Sequence, residues 1–166
     1  MPHQPDESCE DLLHEAGCSE KVIAHCRAVR DVALGYAELN GLVRVDLVRK
    51  GSMLHDIGRG STHTIMHAQQ GADLLRARGI SEEIARIVER HTGAGLTADE
   101  CTLLRLFPRD CIPRTTEEKI VTHADNLIEG RKRVIIEESI ASAFYLPRKV
   151  RRRMYHLSQD VELLCG

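Results

Sequence analysis

His55 and Asp56, adjacent in the chain, pair the two side-chain types that most readily hold a transition-metal ion: a neutral imidazole nitrogen and a carboxylate oxygen. Alone, the dipeptide is common. Residues of the same chemistry recur elsewhere at helical spacing on apolar faces. His25 falls on the stripe of Val22, Val29, Val32 and Tyr36, and His55 follows Leu47 and Gly51 on one face. His67 shares a face with Gly71, Leu74 and Leu75, and His91 follows Ile84, Ile87 and Val88. Asp125 lies between Val121 and Ile128, with no cation one turn away on its own helix face. A lone inward histidine is most often a hydrogen-bonded core residue. An inward aspartate is costly unless it is paired or bound to metal. Coordination of a divalent ion (Fe, Mn, Co, Ni or Zn) would satisfy the whole set together. His3, His14, His63, His123 and His156 read as non-ligands: His3 and His14 as surface residues, His63 as a cap or loop residue, His123 as pointing elsewhere on the helix of Asp125.

The elements that must carry these residues read as helices. A short helix is expected over Ser8–Ala16 after a loose polar start, stopped by Gly17. Ser19 caps the next, through Asn40, and Asp46 caps a third, which runs to His55. A fourth spans Thr64–Arg78 with Gly79 beyond its end, and Ser81 caps a fifth that ends near Thr92. Thr97 and Glu100 have capping-box spacing. After a proline-containing loop, Thr116 caps a helix through Ile128, and the remainder forms two helices split around Pro147. No stretch alternates with the period of a strand, so the expected fold is all-α.

Composition narrows the classes. A chain of 166 residues fits a single domain, with the candidate metal core at about 20–130 and further helices over 134–166. Aromatics are 3% of the residues, so the core must be aliphatic, which suits packed helices. The formal net charge of −2 argues against a general polyanion binder. The six cysteines include no C-x-x-C pair, and with no apolar leader they point to the reducing cytoplasm. No apolar run approaches the roughly 18 residues of a membrane span.

The order His25, His55-Asp56, Asp125 resembles the signature of the HD superfamily of metal-dependent phosphohydrolases, and Leu54-His55-Asp56-Ile57-Gly58 resembles its HDIG variant. His67-x-x-x-Gly71-Ala72, Ile87-x-x-x-His91 and His123-Ala124-Asp125-Asn126 are similar to the remaining segments of two-metal members. The pattern from about residue 20 to 130 is also similar to small archaeal HDIG proteins. The resemblance implies a helical bundle and a dinuclear site: His25, His55, Asp56 and Asp125 on one ion, His67 and His91 on the second, with Asp56 bridging. It further implies hydrolysis of a phosphate ester or anhydride, of a nucleotide or related small phosphorylated metabolite, by a metal-activated hydroxide. Arg59, just past the HDIG glycine, is the candidate phosphate clamp, and Arg30 a weaker one. The same ligand set also serves mixed-valent di-iron oxygenases, which is the main alternative. The basic clusters Arg131-Lys132-Arg133, Arg148-Lys149 and Arg151-Arg152-Arg153 leave room for an RNA- or phosphate-binding module, against the plainer reading of a solvated helix face. A homodimer is the expected assembly if there is one.

Overall fold

Helix starts in this chain are written by short polar side chains, and the computed structural model, which describes residues 5–166, shows several of them at work. The Ser19 hydroxyl accepts from the Val22 N–H and the Ser81 hydroxyl from the Ile84 N–H, while Thr97 and Glu100 form a reciprocal capping box. The helices are α1 (Pro5–Glu15), α2 (Glu20–Ala37), α3 (Val45–Leu54), α4 (His67–Ala77), α5 (Glu82–Glu89), α6 (Ala98–Leu103), α7 (Thr116–Asn126), α8 (Ile136–Ser142) and α9 (Arg148–Cys165). A 3-10 turn, Ile57–Gly60, joins α3 to the segment before α4. The fold is all-α apart from a small hairpin, β1 (Ile128–Glu129) with β2 (Lys132–Arg133), which the sequence pattern did not suggest. No helix among the described residues is long and apolar enough to cross a membrane.

Several boundaries move. α1 already includes residues 5–7; residues 1–4, with His3, lie outside the described region. α3 begins after Arg44 without a side-chain cap, because Asp46 is inside the helix and pairs with Lys50 at 2.9 Å. α4 begins at His67 rather than Thr64, and the cap of α7 is Thr115, one residue early, boxed with Glu118. The buried stripe of α2 is Ile23, Cys26, Val29, Ala33 and Ala37. Val22 and Tyr36 are only partly buried, so His25 sits on the flank of the stripe.

Two aliphatic clusters share α2, α3 and α5. One gathers Leu13, Ile23, Met53, Ile57, Leu75 and Val88; the other gathers Val29, Val48, Ile87, Ile120, Val121 and Met154. Close helix approach depends on small residues. A Cβ on Gly51 would lie 2.6 Å from the Ile87 side chain, so this glycine lets α3 and α5 pack tightly. That packing brings the ends of both helices, and therefore His55 and His91, to one place.

Candidate metal centre

Each side chain of the expected set arrives from a different element. His25 lies in the second turn of α2. His55 follows the last residue of α3, and Asp56 follows it with φ −99° and ψ 14°, a geometry that tightens the chain into the 3-10 turn. There the glycine of the HDIG string has a physical reason: a Cβ on Gly58 would come within 1.9 Å of the His67 carbonyl oxygen and 2.9 Å of the Gly71 nitrogen. Gly58 and Gly71 therefore let the start of α4 lie against the turn, which delivers His67. His91 comes just after α5, and Asp125 is in the last turn of α7.

The six side chains converge, and Asp56 stands between two groups. Its Oδ2 lies 3.7 Å from His25 Nε2 and 3.6 Å from His55 Nε2. Its Oδ1 lies 3.1 Å from His67 Nε2 and 3.5 Å from His91 Nε2. Asp125 Oδ1 closes the first group at 3.0 Å from His25 Nε2 and 3.3 Å from His55 Nε2. Donor atoms of His25, His55 and Asp125, and of His55, Asp56 and His91, are close enough together to share an ion.

Protonation decides what this cluster can hold. All four imidazoles place Nδ1 against a backbone carbonyl: His25 on Gly130 at 2.6 Å, His55 on Ser52 at 2.7 Å, His67 on Thr64 at 2.8 Å and His91 on Val88 at 2.6 Å. A carbonyl only accepts, so each Nδ1 carries the proton and donates it. A neutral ring then presents Nε2 as a bare lone pair. His67 Nε2 and His91 Nε2 face each other at 3.1 Å, and His55 Nε2 is buried with no hydrogen-bond partner. Lone pairs facing one another and facing carboxylates repel unless a cation lies among them. The titration behaviour shows the same demand for positive charge among these groups, met there by protons. Burial resists a charge on His55, yet the carboxylates of Asp56 and Asp125 hold its pKa well above the ordinary imidazole value. Burial likewise resists a charge on His25, and the bond to Asp125 outweighs it. Burial pushes His91 the other way, toward the neutral ligand form. Asp56 and Asp125 are held well below the carboxylate range, against their burial, chiefly by the charge of His55 and the neighbouring imidazole bonds. The donor set therefore fits divalent transition metals.

A cleft of about 390 Å³ opens onto the cluster, lined by Asp56, Arg59, Asn126, Tyr145 and Met154 among others. Arg59 places Nε 3.2 Å from Asp56 Oδ2 and donates through Nη1 to the His63 carbonyl oxygen, so it sits at the site rather than in solvent. Arg30 faces Asp6 and Asp31 and lines no part of the cleft. His123 is buried against Tyr36 and near Glu162, turned away from the cluster. His14, His63 and His156 are exposed. Sequence reasoning missed the parts that hold the set in place: the Gly130 carbonyl at the hairpin tip, and Asn126, which donates to the Gly93 carbonyl at 2.6 Å and ties α7 to the loop after His91. Asn126 adjoins Asp125 in the sequence, which is the one available signal. The hairpin left none.

This arrangement of histidines and aspartates across α2, the α3 end and α7 coincides with a match to the HD domain over residues 22–129. The chain belongs to the HD domain family. It is 51% identical over 127 residues to an uncharacterized protein of Methanocaldococcus jannaschii, covering 74% of this chain and 75% of that protein. It is 42% identical over 137 residues to a tRNA (cytidine(56)-2'-O)-methyltransferase of Thermoplasma volcanium, covering 82% of this chain but 40% of that protein. A ribonuclease Y of Fervidobacterium nodosum is 38% identical over 85 residues, covering 49% of this chain and 16% of that protein. No solved structure matches the chain significantly. HD domains typically bind divalent metals and generally belong to hydrolases, and the cluster described here is of the kind that could hold such ions.

Proposed function

We propose that the protein is a metal-dependent phosphohydrolase that cleaves a phosphate ester or anhydride of a nucleotide or related phosphorylated compound at a two-metal site. The observation that carries this reading is the division of Asp56, whose two oxygens face two separate sets of imidazole nitrogens. In this reading His25, His55 and Asp125 would hold one ion, His67 and His91 would hold the other, and Asp56 would serve both. Bound ions would supply a hydroxide near neutral pH and offset the charge that builds on the phosphoryl oxygens. The chain's own residues do the rest. The four carbonyl-anchored Nδ1–H groups fix the rings, so the nitrogens need not reorganise on binding. Arg59 exchanges its contact with Asp56 for the phosphoryl oxygens, and its planar fork orients them in the cleft.

The relatives named for RNA chemistry make RNA a reasonable partner. The whole-protein methyl-transfer activity is not carried over, because the match spans less than half of that relative. The cysteines at 9, 18, 26, 101, 111 and 165 are free and buried, which suits a reducing, cytoplasmic setting.

The test is turnover. Protein loaded with Mn²⁺ or Co²⁺ is offered nucleotides, dinucleoside polyphosphates, cyclic dinucleotides and simple phosphoesters. Hydrolysis that disappears in Asp56→Asn supports the reading. No turnover with any of them, together with iron-dependent oxygen uptake, would contradict it in favour of an oxygenase.

A further inference from the structure

Two clefts meet at Asp56. The first, about 390 Å³, runs toward Tyr145, Leu146 and Met154. The second, about 320 Å³, is lined instead by Ser19, Lys21, Val22 and His63 beside the shared residues. His25, Asp56, Arg59 and Gly130 line both, so the two clefts adjoin, and a phosphorus held at Asp56 and Arg59 would have space on each of two sides. A terminal phosphate needs one arm. A phosphate with a substituent on each side needs two.

The arms differ in chemistry. In the first, Tyr145 is an exposed residue, and its ring is met edge-on by Phe144, with ring centroids 6.4 Å apart. An aromatic ring free to receive another, with Leu146 and Met154 lining the same cleft, suits a nucleobase. The second arm has no Phe, Tyr or Trp in its lining. It offers the Lys21 ammonium, the His63 imidazole and the Ser19 hydroxyl, and Lys21 is exposed and pairs with no carboxylate among the described residues. That lining suits a sugar–phosphate backbone. Arg131 and Lys132, both exposed, follow the Gly130 that walls both arms, and Glu129, which precedes it, lines the first arm.

We propose that these two clefts together bind single-stranded nucleic acid as the substrate. One base stacks on Tyr145, the scissile phosphodiester lies at Arg59 and Asp56, and the chain continues along Lys21 and His63. Water is the only co-reactant. Its oxygen bonds to phosphorus, the bond from phosphorus to the leaving sugar oxygen breaks, and that oxygen takes up a proton, leaving a phosphate monoester and a free hydroxyl. The cleavage rests on the hydrolase reading above; the binding can be measured without it.

The test is fluorescence anisotropy of the metal-loaded protein with a labelled, cleavage-resistant phosphorothioate hexanucleotide of adenosine, competed with AMP and with cyclic diadenylate. The hexanucleotide should bind at least about tenfold more tightly than AMP. Tyr145→Ala and Lys21→Glu should each weaken it by about tenfold, Tyr145→Phe should restore it, and Lys21→Glu should reduce its salt dependence. Equal affinity for AMP and the hexanucleotide, cyclic diadenylate competing as well as the linear chain, or indifference to both Tyr145→Ala and Lys21→Glu would overturn the proposal. Hydrolysis of small phosphoesters without the expected oligonucleotide binding would overturn it while leaving the hydrolase reading intact. The expected binding without any hydrolysis would support the two-cleft binding and remove only the hydrolase reading.

Discussion

The two halves of the cluster are held in different ways. His55, His67 and His91 each rest Nδ1 on the carbonyl three residues earlier in their own segment. His25 rests on Gly130, 105 residues away at the tip of a hairpin. The first three rings are set by local turns that form with their helices, and all three are buried. His25, with Asp125, is more open to the cleft and depends on the hairpin docking against α2. The difference teaches that one half of the site is built into its elements, while the other is conditional on tertiary packing.

Asp56 belongs to both halves, so its loss should have the largest effect. Asp56→Ala should remove both metal equivalents and lower activity by at least about 100-fold, read by elemental analysis and by turnover. His91→Ala strikes the His67 and His91 site alone, and metal content should fall from two equivalents to one. Retention of both ions in that variant would break the comparison. Gly130→Val strikes the conditional half. Gly130 has φ +62° with open space around it, so the cost is backbone strain of about 1–2 kcal/mol rather than a clash. Titration calorimetry with Mn²⁺ should show about tenfold weaker binding at one site and no change at the other.

A variant outside both halves sharpens the contrast at the smallest scale. Glu100, buried, binds Arg153 Nη2 at 2.5 Å and completes the Thr97 capping box. Those contacts outweigh burial and hold its pKa below the ordinary 4.5. A depressed carboxyl pKa contributes stability that is present above the unfolded value and lost as pH falls through the folded one. Glu100→Gln should therefore cost about 1–2 kcal/mol near pH 7. The cost should shrink as pH drops below about 4.5, as followed by denaturant unfolding at several pH values. Both metal equivalents should remain.

Much of the locally anchored half was readable from the sequence, and for the same reason that it is robust. His55 stands near Gly51 and Gly58 in the sequence and His67 near Gly71, whose missing side chains permit the close packing described above, and His91 follows the helix that packs on Gly51. Asp125 was readable because a carboxylate between Val121 and Ile128 has no cheap partner on its own helix. Less was readable where position depends on rotation or on distant chain. α2 carries apolar residues on more than one face, so pattern alone chose Val22 and Tyr36 where packing chose Ile23, Cys26, Ala33 and Ala37. Thr115 and Thr116 are both competent caps, and only the box with Glu118 selects the first. The hairpin is too short for a period-two pattern, so the Gly130 anchor had no local mark. Tyr145 stands between Phe144 and Leu146 in the sequence with no mark of a site, and only the fold sets it at the cleft.

The central claim is that Asp56 bridges two ions. It is tested most directly by a crystal structure of the metal-loaded protein with anomalous scattering data. The account predicts two peaks, one among His25, His55 and Asp125 and one beside His67 and His91, each touching a different oxygen of Asp56. A single peak, or two peaks of which only one contacts Asp56, would contradict it.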